Sequence, residues 1–322
     1  MIGTDQTVCY DAGGQEIDCT GTGQDGELRA GPPWTSHRFA VDGDFVGDAV
    51  TGLEWRRNAA VAEFPMTWPE ALDWIEGLNT SATGTRRSWR LPERSELFSL
   101  ISHANVNPTL PDGHPFVNVF NGYYWTATPC SRLSKQAWFI HLGGGRVSRG
   151  MRHRSYMVWP VRGLSQGAIG NASLIDPVTD GTVCDRQTGL MWTRNADLAG
   201  GVIDWQGALD AIRQLNSIAA FGYSDWRLPN VREFEILVAV RLHSPAIRGS
   251  RYFRDIRDGY WSSTTSVYEP SYAWVLYTED GDIGVGYKQH PTFHVWAVRS
   301  PAQAPAVAST LRIPPASIPE AS

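Results

Sequence analysis

The side chains with most capacity for chemistry are four cysteines and eight histidines. Cys9 and Cys19 stand close together in a Gly-rich stretch with little apolar content. Two readings are open for them: a disulfide closing a short loop, as an oxidising compartment permits, or two thiols in a floppy leader. Cys130 and Cys184 are isolated, and sequence does not fix whether they bridge. No cysteine pair has the short spacing and histidine partner of a zinc site. His290 and His294 are four apart, but Pro291-Thr292-Phe293 between them does not read as helix. They are expected to be surface or hydrogen-bonded histidines and not a metal pair. There is no Gly-x-Ser-x-Gly elbow, phosphate loop or dinucleotide fingerprint. Gly281-Asp282-Ile283-Gly284-Val285-Gly286 reads as a hairpin of small residues. Asp42, Asp44 and Asp48, and again Asp176, Asp180 and Asp185, raise calcium, which takes six to eight oxygens. Their spacing lacks the closing glutamate of a helix–loop–helix site, so Asp-Gly turns are expected. Asp255, Asp258, Asp280 and Asp282 form a second, equally weak calcium candidate. No catalytic residue, metal or cofactor is therefore expected, with structural calcium as the exception to test. An enzyme acting on polysaccharide would need a carboxylate pair about 5–10 Å apart.

The elements that must position these residues come in two copies. Trp55, Trp68, Trp89 and Trp159 recur as Trp192, Trp205, Trp226 and Trp296 at an offset of 137, and Trp125 and Trp138 as Trp261 and Trp274 at 136. The words around them recur too. Thr51-Gly52-Leu53-Glu54-Trp55 returns as Thr188-Gly189-Leu190-Met191-Trp192, and Trp89-Arg90-Leu91-Pro92 as Trp226-Arg227-Leu228-Pro229. Tyr124-Trp125-Thr126-Ala127-Thr128 returns as Tyr260-Trp261-Ser262-Ser263-Thr264, and Trp159-Pro160-Val161-Arg162 as Trp296-Ala297-Val298-Arg299. A unit of this length exceeds a solenoid repeat and suffices for its own core. The expected organisation is a Cys/Gly-rich leader (1–34), repeat one (35–164), a linker (165–175), repeat two (176–300) and a flexible Pro/Ala/Ser tail (301–322). On that reading residues 172–302 fold alone.

Each copy predicts two helices followed by strands. Thr67 and Asp204 sit at cap positions, ahead of Leu72, Ile75 and Leu78 and of Leu209, Ile212 and Leu215 at helical spacing. A second helix follows each Arg-Leu-Pro, carrying Leu97, Leu100 and Ile101 or Phe234, Leu237 and Val238. The β-branched and aromatic runs 124–126, 137–141, 272–277 and 293–298 then read as strands. Gly143-Gly144-Gly145 and Glu279-Asp280-Gly281-Asp282 turn between them. Helices and antiparallel strands in separate runs make this an α+β protein.

Composition excludes several classes. The 322 residues are 42% hydrophobic and 19% charged, which is globular. A net charge of −5 argues against a nucleic-acid partner. No apolar run approaches the ~18 residues of a membrane span. Met1-Ile2-Gly3-Thr4-Asp5 shows no basic or apolar secretory segment, so export would require a signal already removed.

The repeated words resemble the Lcl C-terminal domain family, named for Legionella collagen-like protein. Cys9-Tyr10-Asp11 through Gly26 resembles a leader that often precedes such domains. The resemblance implies two tandem C-type-lectin-like domains, each with two helices on short twisted antiparallel sheets, related in fold to the formylglycine-generating enzyme. It implies a secreted or surface-attached bacterial protein, and with export the Cys9–Cys19 disulfide is the favoured reading. Some members bind sulfated polysaccharides, and related domains serve as diversified display scaffolds. No catalytic residue comes with the resemblance.

Residues shared by both copies should be scaffold, and residues that differ should carry function. Twelve paired Trp, with Arg90, Arg227, Arg162 and Arg299, read as structure through packing, hydrogen bonds and cation–π stacking. Where the copies differ, the second offers Thr265, Tyr268, Glu269, Tyr272, Tyr277, Tyr287, His290 and His294, a Tyr-rich, paratope-like composition. The first is basic over the same stretch, with Arg132, Lys135, Arg146, Arg149, Arg152 and Arg154, a face suited to an anionic glycan. The expected function is non-enzymatic binding of a glycan or surface protein, or a structural part in a surface assembly.

Overall fold

A computed structural model describes residues 3–34, 37–81, 88–163, 175–179 and 181–300. The expected tail (301–322) and nearly all of the expected linker lie outside the described residues, and Ile175, at the linker's end, begins a strand.

The leader forms a hairpin of β1 (Cys9–Tyr10) and β2 (Glu16–Ile17), then helix α1 (Asp25–Leu28). Cys9 and Cys19 are joined in a disulfide. Repeat one follows with β3 (Phe39–Asp42), β4 (Phe45–Asp48), β5 (Leu53–Arg56), α2 (Trp68–Ser81) and α3 (Arg94–Phe98). It continues with β6 (Tyr123–Pro129), β7 (Gln136–His141), β8 (Val147–Met151) and β9 (Val161–Arg162). Repeat two gives β10 (Ile175–Thr179), β11 (Thr182–Asp185), β12 (Met191–Thr193), α4 (Trp205–Ser217) and α5 (Val231–Leu237). It closes with β13 (Gly259–Thr265), β14 (Tyr272–Tyr277), β15 (Asp282–Tyr287) and β16 (Val298–Arg299). The protein is α+β, built on antiparallel sheets.

The last strand of each repeat returns to the first sheet. β9 joins β5 in the order β3-β4-β5-β9, and β16 joins β12 in β10-β11-β12-β16. The three later strands of each copy do not make separate sheets. Val147 pairs with Ile283, and the result is one six-stranded sheet, β13-β14-β15-β8-β7-β6. These two residues are themselves equivalent at offset 136. The copies therefore meet about a pseudo-two-fold axis, as an isologous dimer would. The core follows the sheet. One hydrophobic cluster takes Trp55, Trp138 and Trp159 from the first copy and Trp192, Trp274 and Trp296 from the second. A satellite cluster lies under α2 and another under α4.

The paired tryptophans are scaffold, as expected, and the reason is visible at the indole N–H. Trp68 donates to Thr126 O and Trp205 to Ser262 O; Trp125 donates to Met66 O and Trp261 to Ile203 O. Trp159 donates to Arg56 O and Trp296 to Thr193 O. Every acceptor is the same position in its copy. In these three pairs the indole keeps a partner for its one donor and pins an irregular segment at once, while the buried N–H groups of Trp55, Trp138 and Trp192 meet no acceptor among the described residues.

The helices start where the caps predict. Asp204 accepts from the Gly207 N–H at 2.7 Å, and Glu70 reaches back to Thr67 N–H at 2.9 Å. The second helices are shorter than expected. α3 stops at Phe98, where the Ser99 hydroxyl takes the Glu96 carbonyl at 2.6 Å, so Leu100 and Ile101 fill the core from outside the helix. In copy two Val238, at the position of Ile101, is extended and lies just past α5. The strand expected over 293–298 is regular only at β16, because Phe293 and His294 make isolated bridges to Ile203 and Tyr260.

Candidate functional site

β14 carries Tyr272 at one end and Tyr277 at the other. Side chains alternate along a strand, so a separation of five residues sends the rings to opposite faces, about 17 Å apart. Tyr272 faces Tyr287 across the β14–β15 register, with ring centroids 5.3 Å apart, and Tyr287 meets His290 edge-on at 4.9 Å. Glu269 accepts the Ser271 hydroxyl at 2.9 Å, and its carbonyl takes the Tyr272 N–H. Tyr268 is 63% exposed and stands over Gly144 of copy one. Val285, also exposed, lies between these groups on the same face. Tyr268, Glu269, Tyr272, Tyr287 and His290 thus gather at one end of the sheet.

The other three predicted residues do not join them. Thr265 is buried; its N–H donates to Gln6 Oε1 and its carbonyl accepts from Gln6 Nε2. Tyr277 lies over Gly284 and edge-on to Phe293, and burial raises its phenol pKa. His294 Nδ1 sits 3.1 Å from Asp197 Oδ1, away from His290. The two histidines therefore make no shared metal site.

Two cations of copy one's basic stretch, Arg132 and Arg149, are spent on copy two. Arg132 bonds Asp280 at 2.8 Å, and Arg149 bonds Asp280 at 2.6 Å as well as Asp282. Arg152 lies 4.3 Å over the Trp68 ring. Lys135, Arg146, His153 and Arg154 remain exposed. The expected anionic-glycan face is reduced accordingly. Across the pseudo-two-fold the same positions hold Tyr268 and Val285, so only one rim of the interface is tied by charge.

Of the acidic clusters raised for calcium, Asp48 pairs with Arg38 at 2.7 Å and Asp185 with Arg248, while Asp180 and the side chain of Asp176 lie outside the described residues. Among the described residues no three His, Cys, Asp or Glu side chains converge to hold a metal. Arg90 and Arg227 each fork onto the glutamate that caps the following helix, Glu96 and Glu233, at 2.6 Å. Cys130 is buried, and neither it nor Cys184 enters a disulfide.

The disulfide favoured for the leader is present, but nothing in the sequence reading foresaw that the leader docks across copy two. Asp25 is buried and accepts the Thr264 hydroxyl at 2.7 Å; burial pushes its carboxyl up to about 6. Lys288 is buried on the Trp205 ring, 4.0 Å away, and its Nζ donates to the leader carbonyl of Asp11 at 3.2 Å. Burial pushes that amine down to about 7. Gln6 bonds Thr265 on one side and His103 O on the other, so it straddles both copies. One signal was present. Pro129 ends β6, while the equivalent Thr265 has an N–H that needs a partner.

The family model described as the Lcl C-terminal domain matches residues 44–162 and again 181–299. No curated protein matches the chain.

Proposed function

The chain belongs to the Lcl C-terminal domain family, and on that premise we propose that it is a non-enzymatic binding protein. In this reading it is secreted or held at the bacterial surface, its repeats are C-type-lectin-like, and its partner is a glycan or surface protein. One observation carries the proposal. Tyr268, Tyr272, Tyr287 and His290 stand together at one end of the six-stranded sheet, with Tyr268 63% exposed. Rings with few torsions, beside small hydroxyl residues, give contact area and hydrogen bonds at low entropic cost. The Cys9–Cys19 disulfide fits an oxidising compartment.

The test is a screen against glycans and surface proteins with the parent and with Tyr268→Ala/Tyr272→Ala. The variant is expected to lose tenfold or more in affinity for the partner found. Its stability should fall by no more than about 1.5 kcal/mol, since Tyr268 is exposed and half-buried Tyr272 loses its contact with the Tyr287 ring. Equal binding by both proteins would remove this face from the reading.

A further inference from the structure

Copy two covers a face that copy one leaves open. The Trp205 backbone N–H donates to Lys288 O at 3.0 Å, and the Lys288 amine lies 4.0 Å over the Trp205 ring. Copy one builds the same platform. The Trp68 N–H donates to Arg152 O at 2.9 Å, and the Arg152 guanidinium lies 4.3 Å over the Trp68 ring. On copy two the leader crosses this platform and continues along α4. Lys288 holds its Asp11 carbonyl, Arg213 holds the carbonyls of Gly21 and Thr22, and Leu28 lines the groove beside Leu209. Trp205 is fully buried there and Leu209 is 2% exposed. Among the described residues nothing equivalent crosses α2. Trp68 is half-buried, and Leu72, the counterpart of Leu209, is 38% exposed.

The open face carries charges of its own. Asp210 and Arg213 pair on α4, but their counterparts on α2 are Asp73 and Glu76, two exposed acids. At the other end Arg152 Nε donates to Gln136 O at 3.2 Å, which holds the guanidinium on the Trp68 ring. Exposed Lys135 replaces Ser271, the residue that the leader's Gly14 approaches so closely that a Cβ would come within 2.8 Å of its backbone N. The face is thus basic at one end, acidic at the other and apolar at Leu72 between them. A second leader does not match it. The Thr128 hydroxyl is spent on Glu93 where Thr264 bonds Asp25, and Pro129 has no N–H for a Gln6. The Gly21 and Thr22 carbonyls would meet Glu76 in place of Arg213. From Trp68 to Glu76 the helix rises about 12 Å. Four residues of extended chain span about 13 Å.

We propose that this face of α2 docks an extended segment of a partner protein that is acidic where it crosses Arg152 and Lys135, apolar over Leu72 and basic beside Asp73 and Glu76. The leader on copy two shows that a polypeptide fits a face of this shape, and the charges select which polypeptide copy one takes. Opposite charges at the two ends fix the orientation of the segment. They also reject a uniformly anionic chain, because one end of it would meet Asp73 and Glu76. The face shares no residue with Tyr268–Tyr272 and stands or falls independently of it.

The experiment titrates the peptide acetyl-Asp-Ser-Leu-Ser-Arg-amide into the full chain, read by the Trp68 indole N–H and the Leu72 methyl resonances. Trp205 and Leu209 are the leader-covered control. Saturable shifts at the first pair and none at the second are expected. The peptides with Asp at both ends or Arg at both ends satisfy one end of the face only and should bind tenfold more weakly or worse. Asp73→Lys/Glu76→Lys and, separately, Lys135→Glu should weaken the parent peptide by a similar factor. All three positions are exposed, so folding is kept. No shift, or shifts that survive both variants, would overturn the proposal. Equal binding of the all-acidic peptide, or its displacement by a heparin oligosaccharide, would make this a general anion face and overturn it too. Broadening of the Trp68 and Leu72 signals with protein concentration alone would assign the face to a second copy instead.

Discussion

Arg94 and Glu235 are buried and answer each other across the copies, 2.6 Å apart. Arg94 also donates to Gly281 O and lies 4.0 Å over the Trp138 ring. Burial pushes the Glu235 carboxyl up, and the Arg94 guanidinium opposes it. The pair breaks the repeat. At offset 137 Arg94 becomes Val231, and Glu235 was Phe98. A charge has entered each copy where the other keeps an apolar residue, which only makes sense if the two side chains meet. Arg94→Ala is expected to cost about 3–5 kcal/mol by stranding a buried carboxylate. Arg94→Val with Glu235→Phe, each copy taking its counterpart's residue, should recover most of that loss, since apolar replacements of buried pairs are often near neutral. Denaturant unfolding of the two singles and the double measures it, and additive losses would show that the pair is not coupled. Such compensation is legible in sequence once the copies are aligned. The spent Arg132 and Arg149 are not, because their partners Asp280 and Asp282 lie in a segment that reads as a hairpin turn and a weak calcium candidate.

The leader shows where element-level reading stops. Helices announce themselves by caps and periodicity, and the cap positions at Asp204 and Asn230 are occupied as their residue types predict. The leader has no apolar period to read. It is held by Gln6, Asp25 and backbone carbonyls, contacts that leave no mark in a hydropathy pattern. Two of its anchoring groups titrate, with opposite signs. Asp25 binds its proton more tightly when docked, at about 6 against 3.8, so its contribution is full below 3.8 and is lost as pH rises through 6. Lys288 binds its proton less tightly when docked, at about 7 against 10.5, so its contribution is full above 10.5 and is lost as pH falls through 7. Both contributions are at their lowest between about 6 and 7. Hydrogen exchange of the leader amides, corrected for intrinsic rates, should therefore show maximal local opening in that window and protection on either side. Opening that changes in one direction only from pH 4 to 10 would mean that one of these groups is not at the interface.

At the scale of the molecule, the two tandem repeats share a sheet and part of their core. Length alone favours two separate cores, but Trp138 and Trp274 enter one cluster and Val147 pairs with Ile283 across the axis. A lone second repeat, residues 172–302, would open the β15 edge, uncover Trp274 and lose both the leader and Arg94. Pairing β15 with its own copy would restore the sheet, since β8 and β15 are equivalent. The charges oppose that dimer: Asp280 and Asp282 would face Tyr268 and Val285 where Arg132 and Arg149 now stand, and Glu235 would face Val231. Buried carboxylates without partners cost several kcal/mol each, more than a short strand pairing returns. The fragment is thus expected to melt broadly and well below the full chain, and to sharpen when residues 35–164 are added in trans. Calorimetry with sedimentation measures this. A monomeric fragment melting as sharply, and as high, as the whole protein would show that each repeat folds on its own core, with the six-stranded sheet only a later docking of finished domains.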